Sequence, residues 1–154
     1  MMKVIDNFLS DYQFQSISKI FLSNQFPWYW SDCENIIQFT HIFYAAEENN
    51  FGGSTFSIVK PLVSQLGIKN LQHIKANLNT RTFFPRKSGY HIDYSNLTSA
   101  IFYVTTNNGF TKFQNGRRIK SVANRMLIFD SNMVHTAVSS TNHNQRVVVN
   151  FNYG

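Results

Sequence analysis

The sequence predicts a mainly β domain with two helices near its N-terminus. Aromatic residues make up 16% of the chain, which includes 15 Phe, and aromatic and β-branched residues favour half-buried pleated surfaces. Apolar residues recur at helical spacing in two early segments, whereas alternating patterns dominate from Leu71 onward. This α+β order is typical of helices that pack against an all-β body.

Length and composition indicate a single domain over residues 1–154. A chain of 154 residues can bury a substantial core and is too short for a second globular unit. Hydrophobic residues at 43% and charged residues at 14% exclude a disordered chain and a coiled coil. The single cysteine, Cys33, excludes an internal disulfide and a thiolate zinc site. Because the sequence lacks a signal-like start and any apolar run of about 18 residues, we expect a soluble cytoplasmic protein with no membrane partner.

The two helices have recognisable start signals. The first is predicted over about residues 11–23, where Ser10 is a natural N-cap before an apolar pattern of helical spacing. The second is predicted over residues 55–66, and Pro61 marks either a kink in it or its real start. Both are expected to support one face of a sheet.

The strands are predicted from alternation and from turn signals. The aromatic segment 26–30 contains Pro27, so we expect an edge strand or an extended lead-in that covers the core. A polar loop is predicted over residues 47–53, and hairpin turns are predicted at residues 107–109 and 114–116. The remaining strands are predicted at residues 36–45, 71–84, 97–106, 110–113, 125–129, 133–138 and 145–151.

Positive charge is concentrated in the second half of the chain. The formal net charge is +6, and Asp93 is the only acidic residue between Lys75 and Arg125. Such a surface would attract anionic ligands, either a dicarboxylate cosubstrate or a phosphate backbone. A solubility charge carried by the later strands explains the composition equally well.

Two histidines and one aspartate form a candidate metal-binding set. His91 and Asp93 are two residues apart, so in an extended segment their side chains point to the same face. His135 follows a later apolar strand pattern. Two His and one carboxylate are the ligands of non-haem Fe(II) oxygenases, and they leave positions open for a chelating keto acid and O2.

Arg146 is a candidate anchor for an anion. It stands at the head of Val147-Val148-Val149, where burying a guanidinium is expensive unless an anion meets it. A bidentate guanidinium suits the distal carboxylate of an α-keto acid.

Three further motifs carry a family resemblance. Residues 108–113 read Asn-Gly-Phe-Thr-Lys-Phe, residues 122–130 lead toward His135, and residues 101–105 read Ile-Phe-Tyr-Val-Thr. They resemble the Gly-Gly-x-Thr-x-Phe turn, the Pro-x-x-Gly-x-Leu-x-x-Phe approach and the Tyr-Leu-Asn strand of the Fe(II)/2-oxoglutarate-dependent dioxygenases, prolyl-4-hydroxylase-like branch. The resemblance covers residues 76–151. The opening of the chain also resembles compact oxygenases common in bacteriophages, which would place the protein in a host cytoplasm.

The resemblance implies a fold, a cofactor set and roles for individual residues. It implies a double-stranded β-helix, or jelly roll, with the two N-terminal helices as supports. Fe(II), 2-oxoglutarate and O2 would take part, with ascorbate as a candidate reductant. The implied iron ligands are His91, Asp93 and His135, and the implied 2-oxoglutarate residues are Arg146, Tyr103 and one of Asn77, Asn79 and Arg81, with Asn79 as the candidate.

The chain departs from the family pattern at two places. Asn124-Arg125 replaces the usual Lys/Arg-x-Gly, and Gly109 stands alone where two glycines are common. Because Asp93 is present, a halogenase, which leaves that position open for halide, is disfavoured.

The predicted function is hydroxylation of an unidentified substrate. A peptidyl residue of the prolyl type fits the most similar branch, whereas a nucleic-acid or nucleobase substrate fits the basic half of the chain. A cupin-like binding module without redox chemistry is a third hypothesis. The oligomeric state is not predicted.

Overall fold

Two antiparallel sheets make up the body of the computed structural model, which describes residues 1–33, 35–47 and 53–154. Within those ranges the larger sheet has the strand order β1-β8-β5-β10-β4-β3-β2, and the smaller has the order β7-β6-β9. The strands are β1 (Met2–Ile5), β2 (Tyr29–Ser31), β3 (Gln38–Ala45), β4 (Leu71–Thr80), β5 (Thr98–Tyr103), β6 (Phe110–Phe113), β7 (Arg118–Lys120), β8 (Arg125–Asp130), β9 (His135–Val138) and β10 (Gln145–Tyr153).

Both predicted helices are present. Helix α1 (Asp11–Phe21) begins with a capping box in which Ser10 and Gln13 each bond the other's backbone. Helix α2 (Phe56–Leu66) follows a short 3-10 turn and ends at Gly67, whose φ of 65° is left-handed. Pro61 lies inside α2 and is not its start. In the described part of the chain, neither helix has the length and apolar character needed to cross a membrane.

Most of the loop predicted over residues 47–53 lies outside the described residues.

Alternation along the central strands creates two separate cores. The first core lies between the larger sheet and the helices. It includes Val147, Val149 and Phe151 of β10, Phe21 of α1 and Leu62 of α2. The opposite face of the same sheet packs against the smaller sheet through a second cluster: Ile101, Tyr103, Phe113, Ile119, Leu127, Phe129 and Val148. The prediction of a mainly β body supported by two helices is confirmed. Alternate side chains of each central strand therefore point into the space between the two sheets.

Asn124 explains how the chain dispenses with a glycine before β8. Its φ of 61° lies in the left-handed region, which asparagine tolerates better than most residues. Its side chain accepts a hydrogen bond from Leu9 N and donates one to Leu9 O, both at 2.9 Å. The residue that replaces the glycine therefore also fastens the N-terminal segment to the sheet.

The prediction that segment 26–30 is buried over the core is wrong for two of its residues. Phe26 is buried, but Tyr29 and Trp30 are 63% and 65% exposed. They lie on β2, which forms the edge of the larger sheet and pairs only with β3 in the described ranges. An edge strand leaves its side chains open to solvent where no element covers them.

Candidate metal centre

A cavity of about 460 Å³ lies between the two sheets. Its floor is the inner face of β4 and β10, and its roof includes Thr111 of β6 and His135 and Ala137 of β9. The segment after β4 closes one side, because Ser88 and His91 also line the space. Every candidate metal ligand faces this cavity.

The three candidate ligands converge on one point. One ligand atom from each of His91, Asp93 and His135 can be chosen so that all lie within 4.8 Å of one another. Asp93 Oδ1 is 3.4 Å from His91 Nε2 and 3.7 Å from His135 Nε2. Although these histidines are far apart in sequence, an antiparallel bridge joins them through backbone hydrogen bonds of 3.0 and 2.9 Å. Backbone pairing thus sets the distance between the two imidazoles.

Backbone carbonyls orient both imidazole rings. His135 Nδ1 lies 2.9 Å from Met133 O, and His91 Nδ1 lies 3.3 Å from Gly89 O. A carbonyl accepts the proton of Nδ1, which leaves the lone pair on Nε2 directed at the cavity. This is the tautomer that a metal-binding histidine requires.

The pKa values of His91, Asp93 and His135 are shifted by burial and by their mutual contacts. Hydrogen bonding to Asp93 is the main cause that raises the pKa of His91, whereas burial lowers the pKa of His135. Burial alone would raise the pKa of Asp93, but the hydrogen bond from His91, the charge of His135 and the hydrogen bond from Ser99 together lower it. The carboxylate is therefore ionised and at least one imidazole neutral near pH 7, as ligands of a cation must be.

Ser99 holds the second oxygen of the aspartate. Its hydroxyl lies 2.9 Å from Asp93 Oδ2 and 2.8 Å from Asn152 Oδ1. Because a serine hydroxyl carries one hydrogen, it can donate only one of these bonds at a time. Ser99 is fully buried on β5, which pairs with β10 of the cavity floor, and its hydroxyl restrains the carboxylate.

Arg146 is buried beside the cavity without an acidic partner in the described ranges. Its side chain is almost fully buried, with 1% exposed, and burial lowers its pKa. Its Nε donates to Ser121 Oγ at 3.1 Å, but the bonds to Asn79 Oδ1 and Thr111 Oγ1 are both long, at 3.4 Å. A buried guanidinium that lacks a counter-ion is costly. An anion in the cavity would complete its hydrogen bonds.

The other predicted cosubstrate residues take different positions. Asn79 lines the cavity, accepts from Arg146 and donates to Gln38 Oε1 at 3.0 Å. Tyr103 is fully buried, and its hydroxyl lies 2.7 Å from Thr111 Oγ1. Thr111, rather than Tyr103, lines the cavity. Thr111 thus links the Tyr103 hydroxyl to Arg146. In addition, the centre of the Tyr103 ring lies 5.9 Å from the guanidinium carbon of Arg146.

Gly109 sits where no side chain fits. A Cβ there would lie 2.8 Å from Arg146 Cδ and 2.8 Å from the carbonyl of Val138. The absence of a side chain lets Arg146 lie against the β6 turn.

Three residues that contact the candidate site were not predicted from the sequence: Ser99, Ser121 and Thr111. Each is a small hydroxyl residue that contacts a candidate ligand or Arg146. Thr111 belongs to the turn motif of residues 108–113, which was the one available signal.

The residues present suit a non-haem iron and an anionic chelator. Two imidazoles and a carboxylate are a facial set that leaves positions open on Fe(II). The buried guanidinium of Arg146 lines the same cavity and has no acidic partner among the described residues.

Comparison with known proteins agrees with this geometry at the level of the fold. No protein-family model and no curated protein matches the sequence. A prolyl-4-hydroxylase from Pseudomonas putida matches with a TM-score of 0.61 and 10% identity over 99% of this chain and 91% of that one. An oxidoreductase of the 2OG-Fe(II) oxygenase family from Burkholderia pseudomallei matches with a TM-score of 0.67 and 10% identity over 99% and 85%.

A third solved structure shares the fold. It is a prolyl hydroxylase from Trichoplax adhaerens in complex with a hypoxia inducible factor peptide fragment, with a TM-score of 0.60 and 14% identity over 99% and 83%. The predicted jelly roll is confirmed. The chain has the fold of the 2-oxoglutarate and Fe(II) oxygenases.

Proposed function

We propose that this protein is an Fe(II)- and 2-oxoglutarate-dependent dioxygenase. One observation carries the proposal: a single cavity holds both a His, Asp, His ligand set and a buried arginine that lacks a counter-ion among the described residues. The ligand set calls for a metal such as Fe(II). The arginine calls for a carboxylate. A 2-oxo dicarboxylic acid satisfies both.

The spacing of the two features suits a five-carbon diacid. On β6, Thr111 contacts Arg146, and Phe113 pairs with His135. Two residues along a strand correspond to about 7 Å. A short dicarboxylate can therefore reach from the guanidinium to the ligand set.

Each residue has a defined task in the proposed reaction. His91, Asp93 and His135 would hold the metal, and Arg146 would hold the distal carboxylate, supported by Asn79 and Thr111. With O2 and 2-oxoglutarate, bound iron supplies oxidative decarboxylation to succinate and CO2, with the second oxygen atom inserted into a C–H bond of the substrate. Ascorbate as reductant and a cytoplasmic location belong to the same proposal.

We propose a peptidyl residue as the prime substrate, with proline as the first candidate. Two of the solved structures that share the fold are named prolyl hydroxylases, and one of them is bound to a peptide. A nucleic-acid oxygenase is the second candidate, supported by the net charge of +6. A cupin-like binding module would keep the fold and consume no 2-oxoglutarate.

Turnover of 2-oxoglutarate is the test of the proposal. Protein incubated with Fe(II), ascorbate, O2 and a peptide digest of cell lysate is expected to form succinate and a product that has gained one oxygen atom. The measurements are succinate quantification and mass spectrometry. Omitting Fe(II) and substituting Asp93→Ala are the controls, and each should reduce succinate formation at least about 100-fold, since both remove the metal centre. Equal succinate in all three samples would refute the proposal.

A further inference from the structure

One face of the smaller sheet points away from the cavity. On β6, Thr111 lines the cavity and alternates with Phe110 and Lys112, which therefore lie on the opposite, outer face. The register places Lys120 of β7 opposite Phe110 and Arg118 opposite Lys112. Because directly opposite residues share a face, three cations surround Phe110 on the outside of this sheet.

The same face continues across β9 to the segment that leads to the candidate ligands. Val138 of β9 is opposite Phe110, and an isolated antiparallel bridge joins Val138 to Lys87. Lys87, Val138, Phe110 and Lys120 therefore form one row, and strands about 4.8 Å apart give it a width of about 14 Å. We call this surface the outer basic face, and its cations are Lys87, Lys112, Arg118 and Lys120.

No acidic residue of the described chain pairs with the outer basic face. Residues 49–154 contain only two acidic residues, Asp93 in the cavity and Asp130 at the end of β8, and the ion pairs of the described residues include none of the four cations. Lys112 and Arg118 are directly opposite each other, an arrangement in which like charges destabilise a sheet. Solubility does not require this repulsion, whereas a bound polyanion relieves it.

Two phenylalanines are exposed in the segment that leads to this face. Phe83 and Phe84 are 98% and 76% exposed, and they come four and three residues before Lys87. Adjacent exposed rings place a large apolar area in water, which is typical of a binding surface. A purely solubilising surface would not carry them.

Hydrogen bonds to the connection between β9 and β10 hold this segment in place. Thr82 N donates to Ser140 O at 3.0 Å, and Thr82 Oγ1 donates to the carbonyl of Phe84 at 2.8 Å. Arg86 and Ser139 are joined by two bonds of 2.9 Å, from Arg86 N to Ser139 Oγ and from Ser139 N to Arg86 O. A fixed backbone therefore presents the two rings, which reduces the entropy lost when a ligand binds them.

We infer that the outer basic face, together with Phe83 and Phe84, binds a single-stranded nucleic acid as a docking partner outside the cavity. The cations neutralise successive phosphates, and the two rings stack on unpaired bases. The inference goes beyond the proposed function, because this surface lies on the far side of the smaller sheet from the cavity. Binding there requires neither the metal nor 2-oxoglutarate.

The arrangement fits a single strand better than an anionic membrane, an acidic peptide or a duplex. Rings that enter a membrane must reach below the lipid phosphates, but Phe110 is half-buried and the guanidinium carbon of Arg118 lies 5.2 Å from its ring centre. An acidic peptide matches the charge, but its carboxylates offer no flat apolar partner to Phe83 and Phe84. A single strand alternates phosphates with flat bases, and a duplex hides the faces of those bases.

The test measures binding of a fluorescein-labelled ten-nucleotide oligothymidylate by anisotropy. Binding is measured without added metal and again, anaerobically, with Mn(II) and 2-oxoglutarate, and the affinity should be the same. Wild type should bind the oligothymidylate at least about 10-fold more tightly than a ten-base-pair duplex or a decaglutamate peptide, because only the single strand stacks on the rings. A plot of log affinity against log salt concentration should have a slope of about −3, the value for four phosphates on a single strand.

Charge substitutions assign the binding to the outer basic face. Lys112→Gln/Arg118→Gln should weaken oligothymidylate binding about 10-fold and make the salt slope shallower by about 1.4. The free energy of unfolding, measured with urea, should not fall, because the like-charge pair is removed. The matched control is Lys19→Gln/Lys60→Gln, which removes two exposed lysines from α1 and α2 and should bind as wild type does.

Removal of the two rings tests the stacking. Phe83→Ser/Phe84→Ser should weaken oligothymidylate binding about 10-fold or more at an unchanged salt slope, because the rings carry no charge. Both side chains are exposed, so the free energy of unfolding should be unchanged. The control is Tyr12→Ser, which removes an aromatic ring that is 83% exposed on α1 and should have no effect.

The outcomes that overturn the inference leave the proposed function intact. They are absence of oligothymidylate binding, equal binding of the duplex or decaglutamate, and wild-type affinity in either double variant of the surface. An affinity that changes with Mn(II) and 2-oxoglutarate would place the strand in the cavity and overturn the assignment to the outer face. Binding to vesicles that contain phosphatidylserine, without binding to the oligothymidylate, would overturn the inference in favour of a membrane surface.

Discussion

Replacing Arg146 with methionine is expected to abolish 2-oxoglutarate binding without destabilising the protein. The guanidinium is almost fully buried and has no acidic partner in the described ranges, so an apolar side chain of similar length removes a desolvated charge. Losing the buried guanidinium that would face the proposed carboxylate should weaken 2-oxoglutarate binding about 100-fold or more. Calorimetry with Mn(II) measures the affinity, and urea denaturation measures the free energy of unfolding.

Arg81 provides the matched control. It follows β4, is exposed and is not part of the cavity lining. Arg81→Met should leave both 2-oxoglutarate affinity and unfolding unchanged. An Arg146→Met protein that binds 2-oxoglutarate as tightly as wild type would show that the buried guanidinium has another purpose. A large loss of unfolding free energy would show that its bonds to Ser121, Asn79 and Thr111 stabilise the fold.

Loss of a single proposed ligand is expected to abolish iron binding. Asp93→Asn keeps the size of the side chain but removes the negative charge that Ser99 and His91 orient. His135→Ala removes the most buried of the three ligands. Since loss of an outer partner of a ligand typically costs 10–100-fold in metal affinity, loss of a ligand should cost at least about 100-fold. Anaerobic equilibrium dialysis with Fe(II) measures the effect.

His143 serves as the control histidine for that experiment. It is exposed in the loop before β10, and its Nδ1 lies 2.8 Å from the carbonyl of Gln145. His143→Ala should bind Fe(II) as wild type does. If Asp93→Asn and His135→Ala also keep wild-type affinity, the iron is bound elsewhere.

The proposed ligands could be anticipated because their chemistry is local or highly constrained. The spacing of His91 and Asp93 predicts side chains on one face if the segment is extended, and both side chains do line the cavity. An arginine at the start of an apolar strand predicts a buried guanidinium, and Arg146 is almost fully buried. Helix α1 could be read from its cap and spacing, since both act within one turn.

Contacts that depend on pairing between distant strands could not be anticipated. Lys75 and Asn150 become neighbours only through the register of β4 against β10, and a shift by one residue would turn either side chain toward the helices. The same limit applies to Tyr103, whose hydroxyl meets Thr111 of another strand. Pro27 did indicate an edge strand, and β2 is at the edge of the larger sheet, but aromatic composition does not reveal that Tyr29 and Trp30 are left exposed there.

Co-binding of Fe(II) and 2-oxoglutarate in one cavity is tested most directly by titrating 2-oxoglutarate into the wild-type protein, anaerobically, with and without Fe(II). We predict one 2-oxoglutarate bound per chain, with an affinity that rises on addition of Fe(II) because the keto acid then contacts both the metal and Arg146. Absence of binding, or an affinity that is the same with and without Fe(II), would contradict the proposed site.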